Sequence, residues 1–190
     1  MSGLRSHPLR LVALGDSLTE GWGLSPGQAW PALVEGLLAA RGLKLRIKNH
    51  GISGDTTLDG VARLGYVLDE SPQAVLVQFG ANDLMQGLPV DLVERNLETI
   101  LTRLAEAGIR AMLLGVQTLL DREPGAGPLL ARTFEEAAAR HQVFLAPCIL
   151  NDVLGRPELL LPDGVHPNAR GMAVMAQGLA PLVAELVAGL

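Results

Sequence analysis

The stretch Leu9-Arg-Leu-Val-Ala-Leu14, followed by Gly15-Asp-Ser-Leu18, decides the fold of this chain. The first six residues are almost continuously apolar, which is typical of a strand buried on both faces of a sheet. Gly15 ends the strand, and small polar residues follow at once. In open parallel sheets the functional groups lie beyond the carboxyl ends of the strands, so this turn predicts a site as well as a strand.

The rest of the chain continues as an alternation of helical and strand patterns. Residues 29–41 carry apolar side chains at helical spacing, and residues 44–49 alternate as a half-covered strand should. The further predicted strands are 74–79, 110–115 and 143–146, and the further predicted helices are 57–68, 90–107, 129–140 and 168–187. Such an alternation predicts an α/β fold, a three-layer α/β/α sandwich around a parallel sheet. We predict a five-stranded parallel sheet in flavodoxin-like order.

The composition fits a folded, acidic protein. The 190 residues are 48% hydrophobic and 18% charged, which is enough apolar surface to offset the entropy of the chain. A chain of this length fills one hydrophobic core, so residues 1–190 are predicted to form a single domain. The net charge of -5 and the lack of a Lys and Arg cluster exclude a nucleic-acid partner.

The sequence carries no signal for a disulfide, a cofactor, a metal site or a membrane span. Cys148 is the only cysteine, so it has no partner within the chain, and we interpret it as a small buried apolar residue. No zinc-ligand spacing and no phosphate-binding glycine loop is present. The first apolar run is too short for a signal-peptide core or stable membrane insertion. We expect a cytoplasmic protein, or a periplasmic or secreted one if a leader was removed.

Four polar segments that contain glycine follow the predicted strands or precede the last helix. They are Gly15-Asp16-Ser17-Leu18, Gly51-Ile52-Ser53-Gly54-Asp55, Gly80-Ala81-Asn82-Asp83 and Asp163-Gly164-Val165-His166-Pro167. The predicted topology brings them to one rim of the sheet. Acyl transfer requires a nucleophile, its base, a residue that orients the base, and donors for an oxyanion, and these segments contain all four. We interpret Asp16 and Asp83 as loop organisers that accept backbone N–H bonds.

In these four blocks the chain resembles the SGNH, or GDSL-type, hydrolase superfamily. Its loop lengths resemble the small bacterial subgroup of thioesterase I/lysophospholipases and arylesterases. The resemblance implies Ser17 as nucleophile, His166 as general base and Asp163 as the residue that orients His166. It also implies an oxyanion hole formed by the backbone N–H groups of Ser17 and Gly54 and the side-chain amide of Asn82.

Elementary chemistry supports the same roles. A serine hydroxyl is a weak nucleophile until a base takes its proton, and histidine suits that task because its ordinary pKa lies near neutrality. Asp163, three residues before His166, can reach the other ring nitrogen and stabilise the imidazolium. Gly54 has no Cβ to obstruct a reacting carbonyl, and Asn82 adds a neutral donor. Ala81 departs from the Gly-Gly-Asn-Asp pattern that this block often has, and it would be strained if its position required a positive φ.

Apolar residues in the loops after the strands predict where an acyl or aryl group binds. We assign Trp22, Leu84, Met85 and Leu119 to substrate binding, and Leu18, Leu88 and Leu120 share the pattern. The alternative is that these side chains only close the core against solvent. Residues 85–87 predict a mobile rim, and residues 118–127, rich in Gly and Pro, predict the other wall. An open apolar site predicts broad specificity for short to medium esters or thioesters.

The predicted function is therefore a serine esterase or arylesterase, with lysophospholipase and acyl-CoA thioesterase as related options. A carbohydrate O-deacetylase or an acyltransferase would use the same triad. The low aromatic content of 3% disfavours a sugar-stacking platform. A non-catalytic binding module is the alternative of a different class, and it would be expected to carry a broken triad, which this sequence does not have.

Overall fold

The computed structural model of the protein describes residues 7–116, 125–146 and 148–190. The strands are β1 Leu9–Gly15, β2 Leu45–Gly51, β3 Ala74–Gln78, β4 Arg110–Leu114 and β5 Phe144–Ala146. The helices are α1 Ser17–Glu20, α2 Trp30–Ala39, α3 Thr57–Asp69, α4 Ala81–Met85, α5 Val90–Glu106, α6 Ala126–His141 and α7 Ala169–Val187. Short 3₁₀ turns cover Pro26–Gln28 and Pro157–Leu159.

All five strands form one parallel sheet in the order β2-β1-β3-β4-β5. Helices α2 and α7 pack against each other, whereas α5 packs between α3 and α6. The predicted three-layer α/β/α fold and its flavodoxin-like strand order are confirmed. The order reverses between β1 and β3, which is the point where such sheets place their ligands.

The register aligns the carboxyl ends of the three strands around this point. Gly15, the last residue of β1, pairs with Gly51 on one side and with Gln78 on the other. The loops that follow β1, β2 and β3 therefore leave the sheet at the same height. This alignment brings three of the four polar segments together.

Burial differs between the middle and the edge of the sheet as the sequence pattern predicts. Every residue of β3 is 0% exposed, which explains its continuous apolar run. The edge strand β2 alternates between buried and exposed residues over its first four positions. Removing each Val or Leu side chain from water contributes roughly 1.5–3 kcal/mol before chain entropy is subtracted. The apolar centre of the sheet is thus the rigid support of the loops at its edge.

Several element boundaries differ from those predicted. Helix α6 begins at Ala126 and not at residue 129, because Gly127 and Pro128 fall in its first turn, where a proline needs no N–H partner. Helices α1 and α4 were not predicted, since segments of four and five residues are too short to show a helical period. No helix in the three described ranges is long and apolar enough to cross a membrane. That the whole chain forms a single domain stays a prediction.

Candidate active site

The turn after β1 places Ser17 at the first position of α1. Asp16 caps this helix, and its Oδ1 accepts the backbone N–H of Leu18 at 2.9 Å. Gly15 is required by packing, because a Cβ there would lie 2.7 Å from the backbone oxygen of Gln78. The interpretation of Asp16 as a loop organiser is confirmed. Ser17 is consequently held by a buried turn and not by a free loop.

The segment before α7 supplies the imidazole. The Asp163 Oδ1 accepts the backbone N–H groups of Val165 and His166, both at 2.9 Å. Its Oδ2 lies 2.8 Å from His166 Nδ1, and His166 Nε2 lies 3.0 Å from Ser17 Oγ. The structure thus brings the three predicted triad residues into one hydrogen-bonded chain.

The charge of Asp163 is stabilised by these bonds. Desolvation alone would raise the pKa of its carboxyl group, but the backbone N–H groups of His166 and Val165 and the imidazole outweigh it and lower the pKa. The carboxylate remains an acceptor for the ring N–H. That bond fixes the tautomer in which Nε2 is free to accept the serine proton.

The predicted oxyanion donors surround the same place. Ser17, Gly54, Asn82 and His166 all line one cavity of about 330 Å³. The Asn82 Nδ2 donates to the backbone oxygen of Asp55 at 2.8 Å. An amide nitrogen carries two hydrogens, so Asn82 can keep this bond and donate a second one to a substrate.

The two glycines near the oxyanion donors are explained by backbone conformation. Gly54 has a φ of +87°, whereas a Cβ on it would meet no described atom within 4 Å. The positive φ is a reason for glycine that the sequence argument did not include, and the predicted reason, that no Cβ obstructs a reacting carbonyl, stays a prediction. Gly80 carries the positive φ of the next segment, at +111°, and Ala81 begins α4 with helical geometry. The alanine that departs from the family pattern is not strained.

Asp83 is a second loop organiser, as predicted. It is 0% exposed and accepts the backbone N–H of Thr57 at 3.0 Å and its hydroxyl at 2.6 Å. Asn96 in turn donates to the Thr57 hydroxyl at 2.9 Å. Desolvation raises the pKa of Asp83 despite the bonds from Thr57. These contacts join α4, which carries Asn82, to the start of α3.

The cavity wall agrees with only part of the predicted substrate-binding set. Trp22 and Met85 line the cavity, together with Leu18. Leu84 does not line it, because this side chain is 3% exposed and packs into the core, and Leu88 also lies elsewhere, beside a separate cavity. The predicted residues Leu119 and Leu120 lie outside the described residues, as does most of the wall predicted at 118–127.

Sequence reasoning missed some of the apolar residues that line the cavity. The largest of them are the three residues Leu150, Leu154 and Val165. Two of them lie in turns between β5 and the 3₁₀ turn at Pro157, where no motif marks them. Val165 stands inside the Asp163 segment, so its place beside His166 was the one signal available.

Trp22 has a contact that its predicted role did not include. Its ring centroid lies 4.7 Å from that of His166, with the two ring planes tilted by 34°. Trp22 is 45% exposed, so part of this residue also faces the solvent. Nowhere in the described part of the chain do three His, Cys, Asp or Glu side chains group as metal ligands would.

Comparison with known proteins finds a matching family and similar esterases. The model of the GDSL-like lipase/acylhydrolase family matches residues 13–174. An arylesterase from Vibrio mimicus is 31% identical over 94% of this chain and 86% of its own length. The esterase TesA from Pseudomonas aeruginosa is 30% identical over 93% of this chain and 89% of its own length.

Solved structures agree with these relatives. A crystal structure of TesA superposes with a TM-score of 0.89 at 30% identity, covering 94% of this chain and 99% of that one. The SGNH-hydrolase family esterase AlinE4 superposes with a TM-score of 0.80 at 33% identity, covering 97% and 99%. On its sequence, its fold and the four assembled segments, the chain belongs to the GDSL-like lipase/acylhydrolase family.

Proposed function

We propose that this protein hydrolyses carboxylic esters with an apolar acyl or aryl group through an acyl-enzyme on Ser17. The observation that carries the proposal is the chain of contacts from Asp163 through His166 to the Ser17 hydroxyl, at 2.8 and 3.0 Å. The Ser17 hydroxyl and the His166 ring lie at the wall of a largely apolar cavity. The relatives named arylesterase, esterase, and thioesterase 1/protease 1/lysophospholipase L1 support the same reaction class.

The first half of the reaction forms the acyl-enzyme. His166 Nε2 takes the proton of the Ser17 hydroxyl as the oxygen attacks the ester carbonyl carbon. The carbonyl oxygen becomes an oxyanion, which the N–H groups of Ser17, Gly54 and Asn82 stabilise. When the intermediate collapses, the carbon–oxygen bond to the alcohol breaks, and the departing alkoxide takes the proton from His166.

The second half releases the acid. Water gives a proton to His166 and attacks the acyl carbon, and the same N–H groups hold the second oxyanion. Collapse breaks the bond to Ser17, whose oxygen recovers the proton from His166. Asp163 accepts the ring N–H throughout and stabilises the imidazolium in both halves.

The cavity supports neutral, apolar substrates of modest size. Its described lining is formed by side chains such as Leu18, Met85, Leu150 and Leu154, and contains no Lys or Arg. A volume of about 330 Å³ lies at the small end of the usual range for ligand sites. Short and medium acyl groups or an aryl ring fit this description better than a sugar, which needs several polar partners. The lining therefore favours esterase activity over the carbohydrate O-deacetylase alternative.

Ester hydrolysis tests the proposal. Wild type and Ser17→Ala are assayed with p-nitrophenyl acetate, butyrate, octanoate and palmitate, with circular dichroism and thermal unfolding as checks of folding. We expect turnover of the shorter esters by wild type and a loss of about 1000-fold or more in kcat in the variant. A folded wild type without activity on any of the esters would overturn the proposal. Equal kcat/KM for all chain lengths would contradict only the acyl cavity.

A further inference from the structure

Arg63, in the second turn of α3, lies outside all four polar segments and yet contacts two of them. We propose that Arg63, through its ion pair with Asp55, is a positioning residue that holds the oxyanion donors of Gly54 and Asn82 at a fixed place relative to Ser17. The inference rests on the proposed ester hydrolysis. It adds a residue that does not touch the substrate.

The guanidinium of Arg63 joins three pieces of backbone and side chain. Its Nε and Nη2 lie 2.7 and 2.6 Å from Asp55 Oδ2. Its Nη1 donates to the backbone oxygen of His50 at 3.0 Å, and its Nη2 donates to that of Gly15 at 3.2 Å. Gly15 ends β1 two residues before Ser17, and His50 is in β2. One side chain therefore ties the ends of two neighbouring strands to the loop that follows β2.

Asp55 transmits this position to both donors. Its backbone follows Gly54 directly, so the place of Asp55 restricts where the Gly54 N–H can lie. Its backbone oxygen accepts the Asn82 amide at 2.8 Å, and its N–H donates to the Ile52 oxygen at 3.2 Å. The side chain binds Arg63 while the backbone orients Asn82. Loss of the ion pair would thus displace two oxyanion donors together.

The burial of the pair favours positioning over stabilisation as its role. The side chains of Arg63 and Asp55 are only 19% and 14% exposed. Desolvating two charges costs about as much as their attraction returns, so such a pair contributes little net stability. The planar guanidinium donates in several fixed directions, which a lysine cannot reproduce. Burial raises the pKa of Asp55, and the bond and the charge of Arg63 oppose that shift, so the carboxylate depends on Arg63.

The test separates positioning from a general loss of structure. Arg63→Met and Arg63→Lys are compared with the control Arg110→Met, because Arg110 also donates to two backbone oxygens, of Leu186 at 2.8 Å and of Gly189 at 3.0 Å. The amino end of β4 carries Arg110, away from the site. For each variant we would measure Tm and the kcat and KM for p-nitrophenyl butyrate. We would also measure the inhibition constants of an alkyl trifluoromethyl ketone and of the matching methyl carbinol. The ketone forms an oxyanion on Ser17, whereas the carbinol does not.

We expect both Arg63 variants to lose about 10- to 100-fold in kcat with a small change in KM. The inhibition constant of the ketone should rise in proportion to the loss in kcat/KM, while that of the carbinol stays unchanged. Arg110→Met should keep kcat whatever its Tm. If Arg63→Met does not fold, the single variants Arg63→Lys and Asp55→Asn are measured in the same way, and the same loss of kcat and of ketone binding is expected of each.

Two results would overturn the inference. One is a folded Arg63 variant with wild-type kcat. The other is a loss of ketone and carbinol binding by the same factor, which would show a collapsed pocket. Neither result touches the proposed function, which fails only if wild type does not hydrolyse esters or Ser17→Ala still does.

Discussion

The two sides of the candidate site are built in opposite ways. The nucleophile side, formed by the turn after β1 and the loops after β2 and β3, is held by contacts between residues far apart in the chain. Examples are the 2.7 Å bond from Thr19 to Gln78 and the 2.6 Å bond from Thr57 to Asp83, both buried. The base side, residues 160–167, is held by contacts among near neighbours, such as those that Asp163 makes with its own segment.

Because of this difference, substitutions on the two sides should affect folding stability and catalysis differently. A change on the nucleophile side disturbs buried polar groups and the sheet together, so folding and catalysis should suffer jointly. A change on the base side removes a partner that is partly exposed, with side-chain exposures of 22% for His166 and 31% for Asp163. Such a change should therefore act on catalysis alone.

The largest effect is expected on the base side. His166→Ala should lower kcat by about 10,000-fold or more, and Asp163→Asn by about 100-fold or more, because the serine loses its base or the base loses its orienting partner. An asparagine at 163 can still accept the backbone N–H groups of residues 165 and 166. Thermal unfolding should therefore stay close to wild type for both variants, as measured by differential scanning fluorimetry. A large fall in Tm would show that the base side also supports the fold.

The next effect concerns the buried carboxylate beside Ser17. Desolvation raises the pKa of Asp16 from 3.8 to about 7, helped by the charges of Asp83 and Asp55 and opposed by the backbone N–H of Leu18 and the nearby side chain of Gln78. Between these two pH values the folded protein binds a proton that the unfolded chain has lost. The contribution of Asp16 to stability therefore falls as the pH rises from 3.8 to about 7 and is level above that range.

Asp16→Asn removes this titration and keeps the acceptor for the Leu18 N–H. The unfolding free energy at about pH 5 minus that at about pH 8 should be about 2–3 kcal/mol smaller in the variant than in wild type, as measured by urea unfolding at both pH values. Asp91→Asn is the matched control, because Asp91 is exposed and pairs only with Arg95 among its described contacts. If Asp16→Asn keeps the pH dependence of wild type, another group is responsible for it.

The smallest effect is expected at Trp22, which connects the two sides. An aromatic face beside a forming imidazolium is worth about 0.5–1 kcal/mol at an exposed place, so Trp22→Leu should lower kcat about 2- to 5-fold. Trp22→Phe should keep most of the activity, and Tyr66→Leu, at a side chain that is 72% exposed on α3, should keep all of it. The kcat and KM of the three variants are measured by steady-state kinetics with p-nitrophenyl butyrate. A change in KM alone would make Trp22 part of the substrate wall only.

Local patterns in the sequence were enough to predict the fold and the four segments. Continuous apolar runs identified the buried strands, and glycine with small polar residues marked the turns that follow them. Short helices such as α1 and α4 were not predicted, because they have no period of their own. The positive φ of Gly54 was also not predicted, since it follows from how the loop leaves β2.

Features that depend on distant residues could not be predicted. Arg63 sits at an ordinary position of an amphipathic helix, and its partners are the Asp55 carboxylate and two backbone oxygens that only the assembled sheet brings together. Leu150 and Leu154 reach the cavity because of how the chain turns after β5. The prediction that Leu84 binds substrate was wrong because α4, whose place the sequence did not show, directs this side chain into the core. The cytoplasmic location stays a prediction.

The central claim is that His166 activates Ser17 as the nucleophile. Reaction with an alkyl fluorophosphonate, followed by peptide mapping with mass spectrometry, tests it most directly, because Ser17 must attack phosphorus and fluoride must leave. We predict a single adduct on the peptide that contains Ser17, no adduct in Ser17→Ala, and much slower labelling in His166→Ala. A folded wild type that is not labelled, or a Ser17→Ala variant labelled at the wild-type rate, would contradict the account.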